Sequence, residues 1–351
     1  MSEPSTTRPP APSREGGVGL QPRPESRAAA RSLSDRVRRD FAVVVPAYDE
    51  APVIPALIRE LRATFEACDL HGEVLLVDDG STDGTAEVAE REGGGWDALR
   101  VLRHPMNQGK TEALLTAAAA TDRTYLVLFD ADLQHLPEEI PRFLAELEKG
   151  YDIVTARKVG GYSKRTVSSV YNWLSRKIFD VPVSDLNSMK AFRRSVLKGL
   201  HLRHDWHRFF VVLAHARGAS VGEIDVPLHP RRAGEAKYSG RFRIVVGVLD
   251  LLSVWFLLAF SRKPMLLFGL TGFVLLVLGF VVGVVAVYFR FALQMGFRPL
   301  LYLVILLETM GAVFLGVGFL AEMVAQLRDE LDDVRRRVDE ERADDPQRAR
   351  D

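Results

Sequence analysis

The chain contains one cysteine, Cys68, among 351 residues. That excludes a disulfide framework and any multi-cysteine metal knuckle. Charge of a single sign is also missing: 46 Lys plus Arg are balanced by 46 Asp plus Glu. A general nucleic-acid binder would carry a basic surplus, so nucleic acid is not an expected partner. The first 38 residues lack aliphatic runs and hold six prolines and several arginines, Arg27, Arg31, Arg36 and Arg38 among them. Such a stretch has too little apolar surface to offset its ordering entropy and no signal-peptide h-region, so residues 1–38 read as a disordered tail.

Charge is absent again from residues 264–289 and, apart from Glu308, from residues 299–321. Each stretch is long enough to cross the ~30 Å hydrocarbon core as a helix. Arg290, Gly296, Arg298 and Pro299 mark a short turn between them, which predicts a transmembrane hairpin over residues 264–327. Arg262 and Lys263 precede it, and Arg328 and Arg335 to Arg337 follow it. By the positive-inside rule this puts the bulk of the chain and both termini in the cytoplasm, with Arg290 and Arg298 pulling weakly the other way. Residues 241–263 are apolar but carry Asp250 behind Arg241 and Arg243, a pattern for helices lying in the membrane interface. Glu308 is expected to make a helix–helix hydrogen bond, and residues 328–351 to form a charged helix and tail. Val324, Leu327, Leu331, Val334 and Val338 fall at heptad spacing for barely two heptads, which suits a coiled coil and a solvated helix end equally. A homo-oligomer is left open.

Between these ends, residues 39–240 alternate short β-branched runs with amphipathic helical patterns. Phe41 to Val45, Val74 to Val77, Leu99 to Leu102 and Tyr125 to Phe129 read as strands; Val53 to Ala67, Thr85 to Arg91 and Lys110 to Ala120 read as helices. This order implies an α/β domain with a mostly parallel sheet and helices on both faces. Ligands of such sheets bind outside the carboxyl ends of the strands. The polar clusters fall there: Pro46-Ala-Tyr-Asp-Glu50, Asp78-Asp-Gly-Ser-Thr-Asp-Gly84 and Asp130-Ala-Asp-Leu-Gln134. Asp130, Asp132 and Gln134 are oxygen donors two residues apart, suited to Mg²⁺ or Mn²⁺ shared with a diphosphate. Further on, Arg157 follows the strand Asp152 to Thr155, and Arg165 and Ser169 stand four apart on one expected helix face, where a guanidinium and a hydroxyl could grip a phosphate monoester.

Together with Asn107-Gln-Gly-Lys110, these motifs resemble the family 2 inverting glycosyltransferases of GT-A (Rossmann-like) fold, and within them the polyprenyl-phosphate glycosyltransferases related to dolichol-phosphate mannose synthase. The resemblance runs from about Asp40 to Leu327. It implies that Pro46, Tyr48 and Glu50 line the base and ribose pocket, that Asp78 contacts the base with Asp79 beside it, and that Lys110 lies near the phosphates. Asp130, Asp132 and Gln134 would hold the metal and diphosphate; Arg157, Arg165 and Ser169 would bind the lipid phosphate. Pro230-Arg-Arg-Ala-Gly-Glu-Ala-Lys-Tyr238 is similar to the family's R-x-x-G-x-S-K loop, which gives Arg231 and Lys237 a phosphate-binding role. The catalytic set is then Asp132, Arg157 and Arg231. The expected substrates are a UDP- or GDP-linked sugar and a polyprenyl phosphate, and membrane lipids are the expected surroundings. One departure stands out: Met189 and Lys190 occupy the positions where the family pattern has Gly-Phe.

Two alternatives remain. A polysaccharide synthase-type enzyme would act on a sugar hydroxyl and need a carboxylate base, for which Asp185 or the surroundings of Asp132 would serve; the Q-x-x-R-W motif of such enzymes is missing. A catalytically inactive membrane scaffold would share the fold, but the intact Asp130, Asp132 and Gln134 argue against it. His207 or Asp205 could reach the sugar or metal, although a lone histidine is more often a packing or surface residue.

Overall fold

The computed structural model describes residues 22–159, 183, 188–200, 209–230, 256, 264–294, 296 and 298–344. It divides into two units, Met1–Ser239 and Gly240–Asp351.

The first unit is built on a seven-stranded sheet in the order β3-β2-β1-β4-β6-β5-β7. Its strands are β1 (Phe41–Ala47), β2 (Glu73–Asp78), β3 (Leu99–Arg103), β4 (Tyr125–Leu128), β5 (Ile153–Val159), β6 (Lys190–Arg193) and β7 (Val221–Pro227). The four strands β1 to β4 run parallel, as the alternation of strand and helix predicts. β6 runs antiparallel to both β4 and β5, and β7 pairs parallel to β5. Helices α3 (Ile54–Ala67), α4 (Thr85–Glu92) and α5 (Lys110–Ala119) follow the first three strands. A 3-10 turn (Pro137–Glu139), α6 (Ile140–Glu148) and α7 (Phe210–His215) complete the set used below. The strands that are buried on both faces read as continuous apolar runs, and Val43, Val44, Val45, Leu75 and Val127 are fully enclosed. Each such side chain stabilises the fold by roughly 1.5–3 kcal/mol.

One expectation is overturned at the N-terminus. Residues 24–38 are not a disordered tail: they form α1 (Pro24–Ser32) and most of α2 (Asp35–Arg39). Pro24 opens α1 at a position where its missing N–H costs nothing. The Ser34 hydroxyl caps α2 by accepting from the Val37 N–H at 3.4 Å. The few apolar residues present, Ala30, Leu33 and Val37, are all buried in the main core. Arg38, between them in space, donates to the carbonyls of Ala30 and Leu33 and pairs with Asp69 at 3.0 Å. Three well-placed apolar side chains and satisfied guanidinium donors replace the long hydrophobic run that the sequence lacks.

The second unit holds two helices long and apolar enough to cross a membrane, α8 (Pro264–Phe291) and the apolar part of α9 (Arg298–Asp344). They run antiparallel, with glycines at the crossing. A Cβ on Gly272 would stand 2.7 Å from the Gly311 carbonyl oxygen, and one on Gly311 would stand 2.7 Å from Leu276 Cγ, so only glycine permits this approach. Glu308 lies over Gly279, whose Cβ would meet its carboxylate at 2.8 Å. Toward the other end of the pair, Glu322 accepts from the Met265 N–H at 3.3 Å. α9 does not stop at Ala321; it continues without a break to Asp344. Val324, Leu327, Leu331 and Val334 are exposed along it in the single chain. The interface helices expected over residues 241–263 lie outside the described residues except for Phe256, whose ring meets that of Phe268 edge to face, 6.2 Å between centroids.

Candidate active site

The carboxyl ends of β1, β2 and β4 converge, and their loops are tied by hydrogen bonds that the sequence motifs encode. Asp49, at a left-handed φ of 48°, accepts from the Thr82 N–H at 2.8 Å, while its own N–H donates to Ser81 Oγ at 2.9 Å. The Glu50 N–H donates to Thr85 Oγ1 at 2.9 Å, and the Ala51 N–H donates to Asp83 Oδ2 at 3.0 Å. Asp83 is thus a staple between the loops after β1 and β2, and its Oδ1 also accepts from the Thr85 N–H at 3.0 Å. Partial burial pushes its pKa up, and the Thr85 hydroxyl and the Ala51 and Thr85 N–H groups outweigh that, leaving it below the usual carboxylate value. Pro46, Tyr48 and Glu50 thus share one wall with Asp78, whose Oδ1 accepts from the Ser81 N–H at 3.1 Å.

Asp79, the second aspartate of the Asp-Asp-Gly-Ser motif, is engaged by the protein itself. Its Oδ1 faces His104 Nδ1 at 2.8 Å and accepts from the Gln108 N–H at 2.9 Å; its Oδ2 accepts from the Gly109 N–H at 2.7 Å. His104 is held from its other side by Thr116 Oγ1 at 2.9 Å. Next to it, a Cβ on Gly80 (φ 74°) would lie 2.5 Å from the Met106 carbonyl carbon, so the two loops touch backbone to backbone. Asp79 is therefore turned toward the residue 104–109 segment and buried beneath it. That segment delivers Lys110, the first residue of α5, to Asp130, with which it forms an ion pair. His104 is the residue sequence reasoning missed; its only trace in the sequence is its place one residue past the end of β3.

Asp132 is nearly buried and accepts from the Gln134 N–H at 3.2 Å. Between them, Leu133 adopts a φ of 53° and buries its side chain completely, which fixes the turn against the core. Asp130 is more open, 40% exposed at its side chain. Among the described residues no three His, Cys, Asp or Glu side chains converge as a closed metal cage. Two carboxylates and an amide on one tight turn nevertheless suit a cation that completes its shell with substrate phosphate oxygens, as Mg²⁺ commonly does.

Arg157, on β5, lies across from Asp225 on β7 and grips it in a two-bond fork, Nε to Oδ1 at 2.5 Å and Nη2 to Oδ2 at 2.8 Å. The hydrogen bond from Arg157 holds Asp225 below the usual carboxylate value, and the same bond raises the guanidinium. Both side chains are about half exposed. Asp225 was not foreseen, because nothing in a strand pattern says which carboxylate will face a given arginine. Arg165, Ser169, Arg231 and Lys237, like Asp185, Asp205 and His207, lie outside the described residues. Met189 and Lys190 are both buried where β6 begins.

The family model Glycosyl transferase family 2 matches residues 42–215. The undecaprenyl-phosphate 4-deoxy-4-formamido-L-arabinose transferase of Klebsiella pneumoniae subsp. pneumoniae is 30% identical over 304 residues, covering 84% of this chain and 90% of that protein. The enzyme of the same name from Salmonella paratyphi A is 30% identical over 302 residues, with the same shares covered. Among solved structures, glucosyl-3-phosphoglycerate synthase from Mycobacterium tuberculosis, in complex with Mn²⁺, UDP-glucose and phosphoglyceric acid, superposes with a TM-score of 0.50 at 20% identity. That match covers 69% of this chain and 86% of the other. A further mycobacterial protein superposes with a TM-score of 0.51 at 21% identity, over 69% of this chain and 80% of its own. At these identities the structures speak to the fold, the GT-A arrangement of a mixed sheet with its site at the strand ends. The chain belongs to the family 2 glycosyltransferases of GT-A fold, within their polyprenyl-phosphate glycosyltransferase group.

Proposed function

We propose that the protein transfers a sugar from a nucleotide-diphosphate sugar to a polyprenyl phosphate at the membrane, inverting the anomeric carbon. The observation that carries this reading is the Lys110–Asp130 ion pair at the strand ends, on the same turn as Asp132 and Gln134 and on the sheet edge that also carries Asp78. Relatives matched over 84% of the chain are named as undecaprenyl-phosphate transferases, which supports a lipid phosphate as acceptor.

A phosphate monoester has its second pKa near ~6 and is mostly dianionic at neutral pH. It is already a nucleophile, so the reaction asks the protein for positioning and charge management rather than a strong base. A phosphate oxygen attacks the anomeric carbon; the bond from that carbon to the donor's diphosphate breaks, and the electron pair leaves with the nucleoside diphosphate. No proton has to move. Pro46, Tyr48, Glu50 and Asp78 would seat the nucleoside. Lys110 would turn from Asp130 to the donor phosphates as a point charge. Asp130, Asp132 and Gln134 would hold Mg²⁺ or Mn²⁺, which supplies charge neutralisation at the leaving diphosphate. Arg157 would exchange Asp225 for the acceptor phosphate, assisted by Arg165, Ser169, Arg231 and Lys237.

The test is to incubate full-length protein in detergent with polyprenyl phosphate and a panel of UDP- and GDP-sugars, and to identify the lipid product by mass. Transfer to a sugar hydroxyl instead of the lipid phosphate would overturn the reading. α8 and the apolar part of α9 would span the membrane with the catalytic unit and both termini in the cytoplasm. Reporter tags should then give a cytoplasmic signal at either end, and a periplasmic signal from one would refute that topology.

A further inference from the structure

Arg23 opens the N-terminal segment, ahead of α1, and stands far from any motif in the sequence. In space it joins two pieces of chain that both adjoin the Asp130-to-Gln134 turn. Its backbone N–H donates to Glu138 Oε2 at 3.1 Å, and its Nε meets Glu138 Oε1 at 3.0 Å. Its Nη1 lies 3.4 Å from Glu139 Oε1, and its Nη2 lies 3.4 Å from His229 Nε2. Glu138 and Glu139 form the 3-10 turn that begins three residues after Gln134, and both carboxylates are buried. His229, for its part, donates its backbone N–H to the Gln134 carbonyl at 2.9 Å. One guanidinium thus holds the segment leaving the turn and the segment that crosses over it.

We propose that Arg23 is a positioning residue for the Asp130-to-Gln134 turn: the N-terminal segment is a strap that fixes where Gln134 and its neighbours present their oxygens. This rests on reading that turn as the donor-phosphate and metal site. Buried carboxylates need paired cations, and Arg142 already supplies one to Glu139, at 2.6 Å on Oε2. What Arg23 adds is the link to Glu138 and to His229. The guanidinium spreads its positive charge beside both buried carboxylates while another of its nitrogens reaches His229; a lysine ammonium is a compact point charge and cannot lie beside all three.

Arg142 provides the control, since it touches the same Glu139 and not His229. Hydrogen–deuterium exchange on the full-length protein reads the strap without any substrate. Arg23→Ala should raise uptake several-fold in peptides covering residues 131–140 and 226–230 and leave residues 73–80 unchanged. Arg142 also faces Asp225, so Arg142→Ala should raise uptake in α6 and leave 226–230, past Asp225, as in the wild type. Arg23→Lys should fall between wild type and Arg23→Ala, and carries the test if the alanine variant fails to fold. In transfer assays, Arg23→Ala should raise the Mn²⁺ concentration for half-maximal rate by about tenfold, and Arg142→Ala by less than twofold. Unchanged exchange at 226–230 in both Arg23 variants, or an equal rise there in Arg142→Ala, would overturn the proposal. A wild type that transfers no sugar would instead strike the proposed function, leaving the exchange result to judge the strap by itself.

Discussion

The two charged clusters of the catalytic unit are built to opposite rules. On the proposed donor side, Asp79 is sunk beneath backbone amides and takes two N–H groups and a histidine, while the more open Asp49 and Asp83 lace neighbouring loops. On the β5–β7 edge, Arg157 meets Asp225 in a half-exposed pair with water around it. Buried charge-assisted networks set geometry in advance, because undoing any member leaves others unsatisfied. An exposed pair sets little and contributes little to stability, so its partners exchange readily. A nucleotide needs a preformed cradle; a lipid phosphate arriving from a bilayer needs a cation that lets go of its resting partner.

That contrast breaks most sharply at Asp132. Asp132→Asn should lower transfer by about a thousandfold or more while the fold persists, since losing one charged group at a developing anion is commonly that costly. Full activity of the wild type after EDTA treatment would remove the metal from the account. Asp79→Asn should come next. Its amide nitrogen would replace one of the two acceptor oxygens and face the N–H of either Gln108 or Gly109, leaving a buried donor unpaired at a cost of about 1–3 kcal/mol. Thermal unfolding should show that loss, and the donor KM should rise about tenfold or more with the acceptor KM nearly unchanged. An equal rise in both would mean that Asp79 holds the domain generally and not Lys110 in particular.

The smallest effect should come from Asp225→Asn. Freed of its carboxylate partner, Arg157 should bind the acceptor phosphate more readily, so the acceptor KM should fall a few-fold with no measurable change in unfolding temperature. A fall in donor KM instead would move Arg157 to the other substrate. pH sharpens the same point. The folded-state pKa of Asp225 is depressed, so the pair is intact above the ordinary carboxylate range and is lost as pH falls through the depressed value. Acid should therefore mimic Asp225→Asn at Arg157 only well below the usual aspartate range.

Much of this was legible from the chain alone, and the limits are instructive. β1 to β4 and the helices between them follow from apolar periodicity, because β1, β2 and β4 are buried on both faces, the edge strand β3 alternates its exposed arginines with apolar residues, and each helix is buried on one face. The convergence of Asp78, Lys110, Asp130 and Asp132 follows from parallel topology, which sends every loop after a strand to one edge. α1 and α2 escaped notice because three apolar residues among arginines carry no periodic weight, although Ala30, Leu33 and Val37 are all it takes to anchor them. The role of Asp79 escaped because two adjacent aspartates look alike in sequence and point opposite ways in a strand-end turn. Asp225 escaped because a partner across a sheet is set by register, and the β5–β7 register is long-range.

The uninterrupted course of α9 has a mechanical consequence. Its 47 residues make a rod of about 70 Å, more than twice the thickness of the hydrocarbon core. With no proline or glycine between Gly318 and Asp344, there is no hinge between the apolar part and the polar end. Membrane helices adjust their tilt to local bilayer thickness. In a rigid rod, a change of about 10° would sweep the Asp344 end sideways by about 6 Å relative to the level of Leu320. The far end of α9 is thus a pointer whose position registers the thickness of the membrane in which the rod is held.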